Sequence, residues 1–188
     1  MSFYQINMQQ YTDDEYDHVL KLLIGGNHTN QAIGWLKYSN ERKVKLNFLL
    51  ALSIARNNNK LVETLLQYKI DPSYQNNFYL KLACIMGYYD IIMSLIHAGA
   101  NVKKDIDYCL AIAASNGHNN VIELLLQLNA NVSSNNNHAI KWAYQNNHID
   151  TVKLLLEKGA SEENLDELYQ QHNNLVITCE FQIKIILV

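Results

Sequence analysis

The chain repeats itself every thirty residues, and a period that short points to a stack of small units that lean on one another. Four segments align: 48–77, 78–107, 108–137 and 138–167. Leu50, Leu80, Leu110 and Ile140 form one column, and Leu52, Leu82, Ile112 and Trp142 form another. Ser53, Ala83, Ala113 and Ala143 are a column of small residues, which lets adjacent units approach closely. Leu65, Leu95, Leu125 and Leu155 are followed by Leu66, Ile96, Leu126 and Leu156. A degenerate copy occupies 18–47 and is carried by Leu20, Leu22, Asn27, His28, Trp35 and Leu36. Residues 1–17 hold an N-terminal segment and the start of a capping helix. Thr12 and the acidic Asp13, Asp14 and Glu15 open that helix, and it is expected to run to Ile24 before Gly25-Gly26. Residues 168–188 are too few for another unit and read as a truncated C-terminal capping repeat, after a helix at 163–171.

Each unit reads as two short helices. The first, such as 79–86, carries its Leu and Ala columns on one face. It ends at Asn57, Gly87, Gly117 or Asn147, residue types that enter a left-handed turn at low cost. The second, such as 90–98, has Ile91, Ile92, Leu95 and Ile96 on one apolar face at helical spacing. Asp90, Asn120 and Asp150 stand at its start, where a carboxylate or amide suits the free N–H groups and the helix dipole. Lys69, Gly99, Asn129 and Gly159 close the unit, and short polar links such as 102–107 and 132–137 follow. Helices of fewer than about 12 residues are marginal alone in water. One pair cannot cover its own apolar face, so stacking is what stabilises it.

These residues resemble those of a known family. The run 113–126, Ala-Ala-Ser-Asn-Gly-His-Asn-Asn-Val-Ile-Glu-Leu-Leu-Leu, is similar to the central motif of ankyrin repeats, and so is 147–160. The likeness extends over about 18 to 167. It implies an all-α fold, a right-handed ankyrin-type solenoid of stacked helix-turn-helix pairs. The family's repeat is about 33 residues long. The shortfall here lies in the links, so short links are expected in place of full β-hairpin fingers. The family's Thr-Pro-Leu-His start is replaced by Phe78-Tyr79-Leu80-Lys81, Tyr108-Cys109-Leu110-Ala111 and His138-Ala139-Ile140-Lys141. The thirty-residue, Asn-rich form resembles the ankyrin proteins of giant DNA viruses of amoebae, and the residues with AT-rich codons agree with that source.

Composition narrows the function classes. Of 188 residues, 48% are hydrophobic and 18% charged, a balance that fits a buried core and not wholesale disorder. Net charge is −3, and the basic runs stop at Lys103-Lys104 and the Arg42, Lys43, Lys45 group, so no nucleic-acid partner is expected. No apolar run of about 18 residues occurs, so no membrane partner is expected. The start lacks a basic region followed by an apolar core, and no secretory signal is read there. Three cysteines without framework spacing fit a reducing compartment. An intracellular, cytoplasmic location is therefore expected, in the host cell if the source is viral.

Neither a metal nor a catalytic constellation is expected. His28, His118 and His148 occupy equivalent places, and such residues lie one repeat apart, roughly 10 Å as for packed helices. One ion needs ligands at about 2 Å. The resemblance instead implies that such a histidine bonds across the inter-repeat loop. There is no Gly-rich phosphate loop, no His-Glu-x-x-His and no Gly-x-Ser-x-Gly. Cys109 falls near His138 by register, yet both sit at first-helix starts and read as packing or solvent-facing. No enzyme activity and no cofactor are expected.

What the resemblance implies is a protein-binding module gripping a partner on the concave face of the stack. By register its lining is expected from the links and the exposed end of each first helix: Arg56, Asn77, Ile85, Met86, Asp107, Ser115, Asn116, Asn137, Gln145 and Asn146. Ile85 and Met86 are apolar where exposure is expected, as a binding hot spot is; the other reading of the pair is that they pack against the next finger. The alternative is an assembly protein that self-associates through the apolar end Ile185-Ile186-Leu187-Val188. Otherwise a monomer is expected.

Overall fold

The computed structural model describes residues 13–26, 28–38, 46–68 and 70–161. Among these, the regular structure is entirely helical, with ten helices and no strand. They run α1 (Asp13–Gly25), α2 (Thr29–Tyr38), α3 (Leu46–Ala55), α4 (Asn59–Leu66), α5 (Tyr74–Met86), α6 (Tyr89–His97), α7 (Val102–Ser115), α8 (Asn119–Gln127), α9 (Ser134–Gln145) and α10 (Ile149–Glu157). The readings that fall on Thr12, Lys69, the Arg42–Lys45 group, the 163–171 helix, Cys179 and the apolar C-terminal end lie outside the described residues.

The helices pair and the pairs stack in chain order. First helices lie against first helices, α1 to α3, α3 to α5, α5 to α7 and α7 to α9. Second helices follow beside them, α2 to α4, α4 to α6 and α6 to α8. The degenerate unit contributes a full pair, α1 with α2, whose Leu20, Ile24, Ala32 and Leu36 are wholly buried. The repeat columns sort by depth. Leu50, Leu80, Leu110 and Ile140 have no exposed surface, nor do Leu65, Leu95, Leu125 and Leu155. Their neighbours Leu66, Ile96, Leu126 and Leu156 are half-buried and pack against this core. The small column is also fully buried.

That small column has a second task. Each first helix ends at a left-handed residue, Asn57 (φ 53°), Gly87 (72°), Gly117 (73°) or Asn147 (61°). The N–H of the following residue then donates back to the carbonyl of the small residue: Asn58 to Ser53, Tyr88 to Ala83, His118 to Ala113 and His148 to Ala143, at 2.9–3.1 Å. The second helices close in the same way at Gly99, Asn129 and Gly159. This closure satisfies carbonyls that a helix end otherwise leaves without a partner. The starts of the second helices hold Asp90, Asn120 and Asp150 in their first turns, while the capping position itself is the residue before each helix. Asn58 caps α4 with its side chain accepting from Leu61 N–H, while Tyr88, His118 and His148 cap the others without a side-chain bond. Asp90 and Asp150 stand one position into their helices, where the dipole favours them.

The links also differ from the expectation. Residues 102–107 are wound into the start of α7, with a kink at Asp105. The corresponding stretches lie inside the first turns of α5 and α9, where each helix is kinked by three consecutive left-handed residues, Gln75-Asn76-Asn77 and Asn135-Asn136-Asn137, with φ of 46–60°. Asparagine enters that region more readily than other side chains because its short amide bonds locally. The first helices are therefore reached through a tight turn, with no hairpin finger between the described units.

Candidate interaction surface

The first helices lie side by side, so their C-terminal ends form one row across the stack. Arg56 stands at one position of this row, then Ile85 and Met86, then Ser115 and Asn116, then Gln145 and Asn146. Arg56, Asn116, Gln145 and Asn146 are exposed, and Ser115 is half-buried. Ile85 and Met86 remain 42% and 36% exposed. Successive units are tied along the row. The Asn146 amide donates to Ser115 Oγ at 3.1 Å and to the Trp142 carbonyl at 2.9 Å. The ring of His118 reaches back over Gly87 to the carbonyl of Ile85, 2.8 Å from Nε2. A carbonyl only accepts, so Nε2 carries the proton. His148 lies in the same way against Gly117.

Three of the expected lining residues belong elsewhere. Asn77 and Asn137 are only 1% and 6% exposed, which removes them from the surface. The Asn77 amide donates to the Asn101 carbonyl at 2.9 Å and to Asp105 Oδ2 at 2.7 Å, fastening one link to the next. Asp107 is half-buried and accepts from Asn131 N–H at 2.7 Å. Asn77 and Asp107 thus fasten one link to the next, and Asn137 is buried at the same position of its unit. Asp105 shows the same economy of position. Burial works to raise its carboxyl, but hydrogen bonds from Asn77 and Lys81 and the charges of Lys81 and Lys104 outweigh burial and hold it below its ordinary value.

The cysteine and histidine that register brings near have separate roles. Cys109 is fully buried, while the exposed His138 ring stacks on Trp142 with centroids 5.1 Å apart. The Cys84 thiol is pushed well above its ordinary value, first by its hydrogen bond with Cys109 and then by burial. A thiolate is the reactive form of cysteine, and this environment disfavours it.

A second surface feature escaped the sequence reading, although its signal stood in the columns. Phe48, Phe78, Tyr108 and His138 share one position of the repeat, and all four are exposed at the starts of the first helices. Between the first two lies an open groove of about 820 Å³, walled by Phe48, Ala51, Tyr68, Asp71, Tyr74 and Phe78 among others.

Among the described residues no helix is long and apolar enough to cross a membrane. No curated protein matches the chain. Residues 103–166, from α7 through α10, match the family model of ankyrin repeats (3 copies). That stretch carries ankyrin repeats, and the helix pairs upstream of it stack in the same way.

Proposed function

We propose that the chain is a protein-interaction module that binds a folded partner along the row of first-helix ends, on the concave side of the stack. Ankyrin repeats are interaction modules, and stacked repeats offer an extended surface for a partner. The observation that carries the reading is the exposed apolar pair Ile85 and Met86, set in the row between Arg56 of the preceding unit and Ser115 and Asn116 of the next. An apolar centre with a polar surround is the anatomy of a binding hot spot. We extend the proposal to a viral protein acting on host proteins in the cytoplasm, supported by the thirty-residue period and the richness in Asn. No part of the reading calls for catalysis.

The test compares the wild-type chain with Met86→Glu in affinity capture from the cells in which the chain is made. Circular dichroism establishes that both are folded. A partner held by the wild type and released by Met86→Glu supports the row. Equal capture by both would refute it.

A further inference from the structure

The exposed ring at each first-helix start faces a side chain from the preceding unit, and that side chain alternates along the stack. Lys21 holds its ammonium 5.0 Å from the centre of the Phe48 ring. Lys81 holds its own 5.4 Å from the centre of the Tyr108 ring, with the Asp105 carboxylate 3.2 Å away. In the unit between them the same position is Ala51, which has no cation to offer Phe78. The groove opens there, lined by Ala51 and Phe78. Gln75 takes the place that Asp105 holds one unit later, and Asp71 brings a carboxylate to the wall. The repeat thus displays twice what its geometry accommodates over this ring, and twice has alanine at that position, Ala51 before Phe78 and Ala111 before His138.

We propose that this groove receives a lysine or arginine side chain of a partner protein, its cationic head against the face of Phe78 and its aliphatic stem along Ala51 and Tyr74. The ring face carries negative electrostatic potential and attracts a cation, and the stem of such a side chain covers apolar surface while the head stays polar. Asp71 adds charge complementarity; its Oδ1 already accepts from Ser73 N–H at 2.9 Å, which fixes the carboxylate in place. The inference rests on the interaction reading above and deepens it by naming what the partner must carry.

The experiment titrates the full chain with Nα-acetyl-lysine amide and with its uncharged analogue Nα-acetyl-norleucine amide, following the Phe and Tyr ring resonances by NMR. The Phe78 ring signals are expected to shift with the lysine probe, and norleucine to bind roughly 3- to 5-fold more weakly, the factor of an exposed cation–π contact. Ala51→Lys, which copies the neighbouring units, is expected to abolish the shift. Phe78→Leu, which keeps the apolar bulk, is expected to erase the preference for lysine over norleucine and serves if Ala51→Lys does not fold. Met86→Glu is expected to leave the titration unchanged. Equal affinity for the two probes, or undiminished binding to Ala51→Lys, overturns the proposal. If Met86→Glu releases a captured partner while Phe78 ignores the lysine probe, the cation site fails and the interaction module stands. If the probe binds as expected and no partner depends on Met86, the row fails and the groove stands.

Discussion

Replacing Gly87 with alanine disturbs two things that the structure separates. The backbone there has φ +72°. Holding an L side chain in that region costs about 1–2 kcal/mol. A Cβ at Gly87 would also lie 2.5 Å from Nδ1 and 2.6 Å from Cγ of His118, so the imidazole must move away. Its bond to the Ile85 carbonyl would be lost with that movement, a further cost of about 1 kcal/mol. The expected total is about 2–3 kcal/mol of unfolding free energy. The chain carries its own comparison. Asn57 makes the same turn at φ 53°, and there the next unit brings Tyr88 in place of histidine. Glycine occupies the turn before His118 and before His148, where a side chain would meet the ring. In a His118→Ala background, Gly87→Ala should cost only the backbone share, about 1–2 kcal/mol. The two substitutions should then couple by about 1 kcal/mol in a double-mutant cycle. Urea unfolding followed by circular dichroism measures all four proteins, with an unchanged m-value as the check on comparability. An identical cost for Gly87→Ala with and without His118 would show that the ring does not press on the turn, and steric contact between neighbouring repeats would no longer explain why glycine stands there.

Two titrations probe the core and the links. The Tyr79 phenol is pushed up to about 12, first by burial and then by Tyr74 and Asp71. The folded value lies above the unfolded one near 10, so this group's contribution to stability is whole below pH of about 10 and is lost as pH rises toward 12. Ultraviolet difference titration of Tyr79→Phe should lack the tyrosine step at about 12, and a curve unchanged from wild type would contradict the burial. For Asp105 the sign is opposite. Its folded pKa is depressed, so its contribution is present above the unfolded value of about 3.9 and is lost as pH falls through the folded value. Its side chain is 15% exposed and bonded to Asn77 and Lys81. Asp105→Ala should therefore cost about 1–3 kcal/mol near neutrality, and less under acid. A cost that stays constant down to acid pH would exclude the charged network.

The repeat unit and its depth profile were legible along the chain. The Leu and Ile columns are spaced for one face of a short helix, and only that spacing is needed to know which residues a neighbouring pair must cover. The turn columns were equally legible, because whether a chain enters a left-handed turn depends on the residue at that point: Asn57, Gly87, Gly117 and Asn147 all take positive φ. The register left Ile85 and Met86 either exposed or packed against the next finger, and the stack leaves them 42% and 36% exposed. What the links do emerges only in the packed stack. Asn77 and Asp107 look like surface amide and acid, but their partners Asn101, Asp105 and Asn131 arrive from the next link, and no local pattern reports where that link will pass. The row of rings is a similar case. Phe48, Phe78, Tyr108 and His138 are visible as a column, yet whether a lysine or an alanine stands over each ring depends on how one unit is set down upon the last. Periodicity is a property of one helix pair and can be read along the chain. Contact between pairs is a property of their packing, and only side chains in place reveal it.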